Sequence, residues 1–502
     1  MSDAGVTGRR ASGILLHPTS LPGGGVGDLG PEARRFVDWL AEAGQRFWQV
    51  LPLVATGEGG SPYNALSAFA GNVALLSPRL LLDDGLLEED ETECPDGLPG
   101  DCVQFVAVGR WKDRLLRRSH GAFRAGWAPA LKRAFADYRD RSAAWLDDWA
   151  LFRALRDEHG GAAWSEWPEA LRRHEADAIR RAASRLQDEV DRHAFGQFLF
   201  DRQWGALRGY AGERGVRIIG DVPIFVAYDS ADVWAHPEIF ELDEQGRPTV
   251  VSGVPPDYFS ETGQRWGNPL YRWDALEAAR YRWWVDRFRR TLEMVDVVRI
   301  DHFRGFESYW EIPADEETAI HGRWMPGPGH ALFRALEREL GPLPLIAEDL
   351  GVITPEVDTL REELGLPGMR VLQFAFGGAD PENPHLPGNY PAGTVAYTGT
   401  HDNDTAAGWY RAASDEEKAR LRELTDARAD DIHWGMVEVV LRSSADLAIL
   451  PLQDLLGLGS EARMNTPGTT EGNWEWRFRE GDLTPGLAAR LRGLTRESGR
   501  LQ

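Results

Sequence analysis

The 502-residue sequence predicts an α/β fold, a single (β/α)8 TIM barrel with inserted, mainly helical subdomains. Three observations predict it. Short apolar runs alternate with helical patterns, which is how a parallel α/β fold reads. Eight such runs occur, and with helices between them they fit a closed barrel better than an open sheet. Three of the runs end on, or are soon followed by, an acidic residue: Asp301, Glu348 and Asp402. An acid just past a buried strand is poorly placed for packing and well placed for a site at one mouth of a parallel barrel.

In chain order the candidate strands are residues 13–16, 47–51, 216–220, 295–301, 343–348, 369–374, 394–397 and 447–450. Their spacing is uneven. Residues 75–212 separate the second strand from the third and read as a mainly helical insertion. Within it, residues 144–155 carry apolar side chains at helical spacing. Residues 178–208 do the same, with Arg, Asp and Glu on the opposite face. A second insertion, residues 240–268, is rich in Gly, Pro and aromatics and is expected to lie as a loop over the mouth. The whole chain, 1–502, is expected to form one catalytic barrel domain.

A hydrophobic fraction of 42% is ample for a large core. A formal charge of -23 argues against nucleic acid, whose phosphates need a basic surface. Cys94 and Cys102 are the only cysteines, and they lie in a Pro/Gly/Asp-rich loop without a metal or redox motif, so a reducing, cytoplasmic setting is expected. Residues 1–10 contain Arg9 and Arg10 without the apolar stretch of a secretory signal, and no segment has the apolar length of a membrane helix. Neither nucleic acid nor membrane is therefore an expected partner. The chain has 20 tryptophans, whose flat faces suit sugar rings, although most are expected simply to pack.

In Arg299-Ile300-Asp301-His302-Phe303-Arg304-Gly305, alternation turns Arg299 and Asp301 to the same side of the strand. An inward Arg beside an inward Asp keeps the carboxylate ionised, as a nucleophile must be. The competing reading is a structural ion pair. In Ala347-Glu348-Asp349-Leu350-Gly351 only one of the two acids is expected to face the pocket. Glu348 is the candidate general acid/base, and Asp349 is expected to cap the next helix or brace the loop. Gly399-Thr400-His401-Asp402-Asn403-Asp404-Thr405 is a dense polar cluster. It lacks the spacing of a calcium loop, so no metal is expected; Asp402 and His401 are read as sugar-binding, with Asp404 as a possible helix cap. Gly25-Val26-Gly27-Asp28-Leu29-Gly30 matches GxGxxG, the signal of a nucleotide-dependent enzyme. The next strand ends Gln49-Val50-Leu51-Pro52-Leu53 and lacks the expected acid, so a turn that lets backbones approach is the preferred reading.

At this point the motifs resemble the amylomaltases or disproportionating enzymes, the 4-alpha-glucanotransferases of glycoside hydrolase family 77. The matching stretches include Gly13-Ile14-Leu15-Leu16-His17-Pro18-Thr19-Ser20-Leu21-Pro22, Trp48-Gln49-Val50-Leu51-Pro52-Leu53 and Ser61-Pro62-Tyr63. They continue with Gly220-Asp221-Val222-Pro223-Ile224-Phe225-Val226, Gln264-Arg265-Trp266-Gly267-Asn268-Pro269, Arg463-Met464-Asn465-Thr466-Pro467-Gly468 and Gly472-Asn473-Trp474. Asp221 lacks the Asn-His pair that shortly follows the corresponding acid of most alpha-amylases, which argues against a plain amylase and its calcium site.

The resemblance implies roles. Asp301 is the nucleophile, Glu348 the general acid/base, and Asp402 the stabiliser of the transition state. Asp221, Arg299 and His401 bind the central sugar, with Tyr63 stacked beneath it and His302 close behind the nucleophile. Asp257, Gln264 and Trp266 belong to a loop covering the cleft, while Phe374 and Asn465 serve flanking subsites. It also implies malto-oligosaccharide and α-1,4-glucan donors and acceptors, a retaining double displacement, cyclic glucans when a chain accepts its own end, and no cofactor. An α-glucan hydrolase and a non-catalytic glucan-binding protein are the alternatives.

Overall fold

The computed structural model describes residues 8–57, 59–256 and 260–501. Its strands are β1 (Ala11–Leu15), β2 (Phe47–Gln49), β3 (Arg217–Pro223), β4 (Val250–Val254), β5 (Gln264–Pro269), β6 (Val297–Asp301), β7 (Ser308–Pro313), β8 (Arg323–Pro326), β9 (Leu345–Ala347), β10 (Met369–Val371), β11 (Val395–Tyr397) and β12 (Leu447–Pro451). Eight of them run parallel in the order β10-β11-β12-β1-β2-β3-β6-β9. These are the eight runs read from the sequence, with ends shifted by a few residues.

Alternation sorts their side chains. Leu15, Phe47, Ile219, Val297, Ile346 and Val395 fill the barrel, while Ile14, Trp48, Ile218, Val298 and Ala396 face the helices. Asp221 on β3 pairs in register with Arg299 on β6. A one-residue slip would turn both away from the interior, so the same hydrophobic pattern that builds the core aims the charged pair inward.

The ring is sealed differently between β9 and β10. There the Ala347 N–H donates to the Pro367 carbonyl at 2.9 Å, and the Met369 N–H donates to Asp349 Oδ1 at 2.6 Å. Asp349 is buried and also pairs with Arg361 at 3.3 Å and Arg370 at 3.2 Å. Its carboxylate thus takes the place of a strand carbonyl at the seam. A side chain at Gly368 would put its Cβ 2.3 Å from Asp349 Oδ2, so this close approach requires glycine. Asp349 therefore braces the loop; it is Thr354 that precedes the next helix, Pro355–Glu363.

Between β2 and β3 the chain forms the long helices Phe105–Ala125, Leu131–Glu158 and Gln187–Glu213. Gly126, at φ 89°, ends the first in the left-handed conformation that glycine favours. Phe123, Phe135, Phe195 and Phe198 interlock where the three meet. Trp204 ties the third helix to the barrel by donating to the Met294 carbonyl at 2.8 Å.

Residues 240–268 differ from the loop expected of them. They contain β4 and β5, which join β7 and β8 in an antiparallel sheet of order β5-β4-β7-β8. The middle pairing, β4 with β7, joins segments more than fifty residues apart, a link that local pattern does not report. Among the described residues no helix is long and apolar enough to cross a membrane. The 25–30 turn is a packing feature: a Cβ on Gly27 would lie 2.0 Å from the Pro18 carbonyl oxygen, and Gly30 precedes the helix Pro31–Glu42.

Candidate active site

The carboxyl ends of β3, β6 and β9 bring Asp221, Arg299, Asp301 and Glu348 together. Arg299 Nη1 lies 2.6 Å from Asp221 Oδ2 and 2.9 Å from Asp301 Oδ1. The guanidinium is buried and is held firmly in its charged form: burial opposes the charge, but Asp221 and Asp301 more than offset it. Tyr63 donates its phenolic O–H to the same Asp221 oxygen at 2.6 Å. The other oxygen, Asp221 Oδ1, is buried without a partner among the described residues. Burial raises the Asp221 carboxyl above its ordinary range against the pull of Arg299, and the neighbouring Asp301 adds to the rise.

Glu348 follows β9 by one residue. Its Oε2 accepts the His302 N–H at 2.7 Å and its Oε1 accepts the Leu350 N–H at 2.8 Å. The His302 contact depends on a backbone turn: directly after Asp301, His302 adopts φ 52° and ψ 50°, which points its N–H across to the neighbouring strand's loop. One turn therefore joins the residue after Asp301 to the Glu348 carboxylate. Burial pushes Glu348 up to about 8, opposed by Arg299, reinforced by Asp301 and again opposed by the two N–H groups. Burial also lowers the His302 imidazole to about 4, so the ring is neutral.

Asp402 sits on the opposite wall, after β11, with about half of its side chain exposed. Asn465 donates to its Oδ1 at 2.6 Å and His401 Nε2 lies 3.4 Å from its Oδ2. His401 stacks on Tyr63 with ring centroids 5.0 Å apart and planes 15° apart. Asp404 is not the helix cap expected of it. Thr405 caps Ala406–Ala412 by accepting the Gly408 N–H at 3.0 Å, and Asp404 accepts from Ser460 at 2.7 Å.

The remaining expected residues lie around this centre. Trp266, on β5, meets the His302 ring edge to face at 4.8 Å and donates to Gln264 Oε1 at 3.1 Å. Phe374 packs at the rim of the barrel core and against His385 at 5.4 Å, with no described contact to the carboxylates. Asp257 lies outside the described residues. Two contributors carried no role in the sequence reading. Trp474 stands 5.7 Å from the Tyr63 ring and 5.9 Å from the His401 ring, and Arg463 donates to the Asp402 carbonyl at 2.6 Å. Their motifs were visible; their convergence required the fold. The one cluster of metal-ligand type among the described residues, Asp157, Glu189 and His193, lies far along the chain in the helical segment and is filled by Arg192, 2.7 Å from Asp157 and 2.6 Å from Glu189.

A parallel eight-stranded barrel with acidic side chains gathered at its carboxyl mouth defines a TIM-barrel enzyme. The chain matches the family model described as 4-alpha-glucanotransferase over residues 16–484. It is 54% identical over 501 residues to the 4-alpha-glucanotransferase of Thermus thermophilus, covering 98% of this chain and 99% of that relative. To the chloroplastic/amyloplastic 4-alpha-glucanotransferase of Solanum tuberosum it is 46% identical over 504 residues, covering 98% of this chain and 87% of the relative. The solved amylomaltase from Streptococcus agalactiae, in complex with acarbose, matches it with a TM-score of 0.95 at 38% identity, covering 98% of this chain and 100% of that one. The chain belongs to the 4-alpha-glucanotransferase family.

Proposed function

We propose that this enzyme moves α-1,4-glucan segments between malto-oligosaccharides by a retaining double displacement, with the roles anticipated from the sequence. Asp301 attacks the anomeric carbon while Glu348 protonates the departing oxygen. A second glucan's 4-hydroxyl then enters, deprotonated by Glu348, and breaks the covalent glycosyl-enzyme. Asp402, braced by Asn465, faces the positive charge that develops at the sugar ring. The unpaired Asp221 Oδ1 accepts a hydroxyl of the central sugar, which lies against Tyr63 and His401.

The observation that carries this reading is the link at His302. Retaining enzymes need two carboxyl groups roughly 5–5.5 Å apart, one anionic and one able to give up a proton. Here Arg299 sits beside Asp301, whereas Glu348 is buried and raised to about 8. The His302 N–H holds the second acid against the loop of the first. Two carboxyl groups in such different environments suit two different jobs.

Transfer over hydrolysis requires that acceptor sugar displace water. Trp266, half-exposed above His302, is the surface we assign to the acceptor. Where the acceptor is the donor chain's own end, the product is a cyclic glucan. The reaction needs no metal or organic cofactor, and the substrates are those of a cytoplasmic maltodextrin enzyme. Incubation with maltotriose tests the proposal: transfer yields glucose and longer oligomers without matching growth in reducing ends, and Asp301→Asn abolishes it. Stoichiometric growth in reducing ends would make the protein a hydrolase instead.

A further inference from the structure

A small cavity is lined by His17, Thr19, Ser20, Pro62, Trp474 and Trp476 among others, sharing Trp474 with the ring cluster of the central site. It has room for the centre of one water-sized group, about 10 Å³. His17, Thr19 and Ser20 follow β1 directly, so they stand at the same end of the barrel as the carboxylates. They are 7%, 5% and 5% exposed. His17 Nδ1 is wholly buried and unbonded among the described residues, and the Thr19 and Ser20 hydroxyls, on mostly buried residues, make no hydrogen bond there either. Their backbones, by contrast, are tied down: Ser20 N–H to the His17 carbonyl at 2.9 Å, Gly27 N–H to that of Thr19 at 3.0 Å, and Phe478 N–H to that of Ser20 at 3.1 Å.

A wholly buried, unbonded His17 Nδ1 is costly unless something fills the space beside it, and the Thr19 and Ser20 hydroxyls stand ready to share that group. Burial, with nearby His401 adding to it, lowers the His17 imidazole to about 3, so the ring is neutral and offers one donor and one acceptor. A hydroxyl, itself both donor and acceptor, matches this set, which offers no formal charge to pair with an ion. The flanking indoles of Trp474 and Trp476 suit the apolar faces of a sugar. Trp474 also walls the central site, within 6 Å of both Tyr63 and His401.

We propose that this cavity is a hydroxyl-binding pocket of the donor cleft, taking one hydroxyl or hydroxymethyl group of the bound α-glucan on His17, Thr19 and Ser20. The assignment rests on the glucan reading above. It is tested by binding of maltoheptaose in the Asp301→Asn background, where no transfer consumes the ligand. Calorimetric Kd is measured for that parent and after adding Thr19→Val or Ser20→Ala. Each is expected to weaken binding roughly three- to tenfold, the loss of one neutral hydrogen bond, with the melting temperature unchanged. His17→Ala is expected to weaken it further. Should that variant melt early, the size-conserving Thr19→Val decides. Binding within 1.5-fold of the parent for both hydroxyl variants overturns the proposal and leaves a trapped water only. Failure of the wild type to disproportionate maltotriose overturns the glucan reading itself, whereas retained disproportionation with unchanged Kd sinks the pocket alone.

Discussion

Replacing Asp221 by Asn separates binding chemistry from fold stability. Oδ2 of Asp221 receives two donors, Tyr63 O–H and Arg299 N–H, both at 2.6 Å. The amide oxygen of Asn must take that position, which places its NH2 where the unpaired Oδ1 now stands. An acceptor for the sugar thereby becomes a donor. The charge-assisted bond to a sugar hydroxyl, worth about 1.5–3 kcal/mol, is lost. At 1.36 kcal/mol per factor of ten, kcat/KM on maltotriose is expected to fall roughly ten- to hundredfold.

Stability moves differently. The Asp221 carboxyl is raised in the folded protein, chiefly by burial. A raised carboxyl contributes its full stability below its ordinary value and loses it as pH rises through the folded one. A neutral amide therefore avoids the burial cost that raises the carboxyl, while Arg299 keeps Asp301 as its partner. The variant is expected to melt no lower than wild type. Initial rates of glucose release and a thermal melt on the same sample check both halves. Wild-type kcat/KM, or a large fall in melting temperature with activity per folded molecule intact, would refute the reasoning.

Three other outcomes are expected. Glu348 is raised to about 8, so the proton needed for departure stays on it below that pH; kcat/KM is expected to fall tenfold per unit above about 8, and a fall beginning near 5 contradicts the assignment. Asp349→Asn keeps an acceptor for Met369 N–H but leaves Arg361 and Arg370 without their shared anion, costing about 2–3 kcal/mol in a denaturant titration once their partial exposure is counted; a change below about 0.5 kcal/mol would show that the seam does not depend on that charge. Trp266→Ala is expected to raise the share of hydrolysis, read as new reducing ends per glucose released from maltotriose, and an unchanged share removes Trp266 from acceptor selection.

The barrel was legible because each strand is a short apolar run and the helices between them repeat on a different period. Alternation alone placed Arg299 and Asp301 on one face, and their 2.9 Å contact follows from it. The antiparallel sheet was not legible. Its central pair, β4 and β7, is short and joined across a long stretch of chain, and the glycines of β4 and β5 read as loop. Asp349 and Glu348 look alike as neighbouring acids, and only the seam between β9 and β10 shows why one is a brace. The Tyr63–Asp221–Arg299 chain of contacts was accessible through family resemblance rather than spacing, since its members are scattered over more than two hundred residues. The His302 turn had no sequence signal, because a left-handed non-glycine residue is imposed by its surroundings.

The central claim is a covalent glycosyl-enzyme on Asp301, and trapping it is the most direct test. Glu348→Gln incubated with an α-maltosyl fluoride, whose leaving group needs no acid, should form the intermediate and then stall for want of a base. Mass spectrometry of the digested protein is expected to find one maltosyl unit on the peptide bearing Asp301. A label on another residue, or release of a β-configured product without any adduct, would contradict the mechanism.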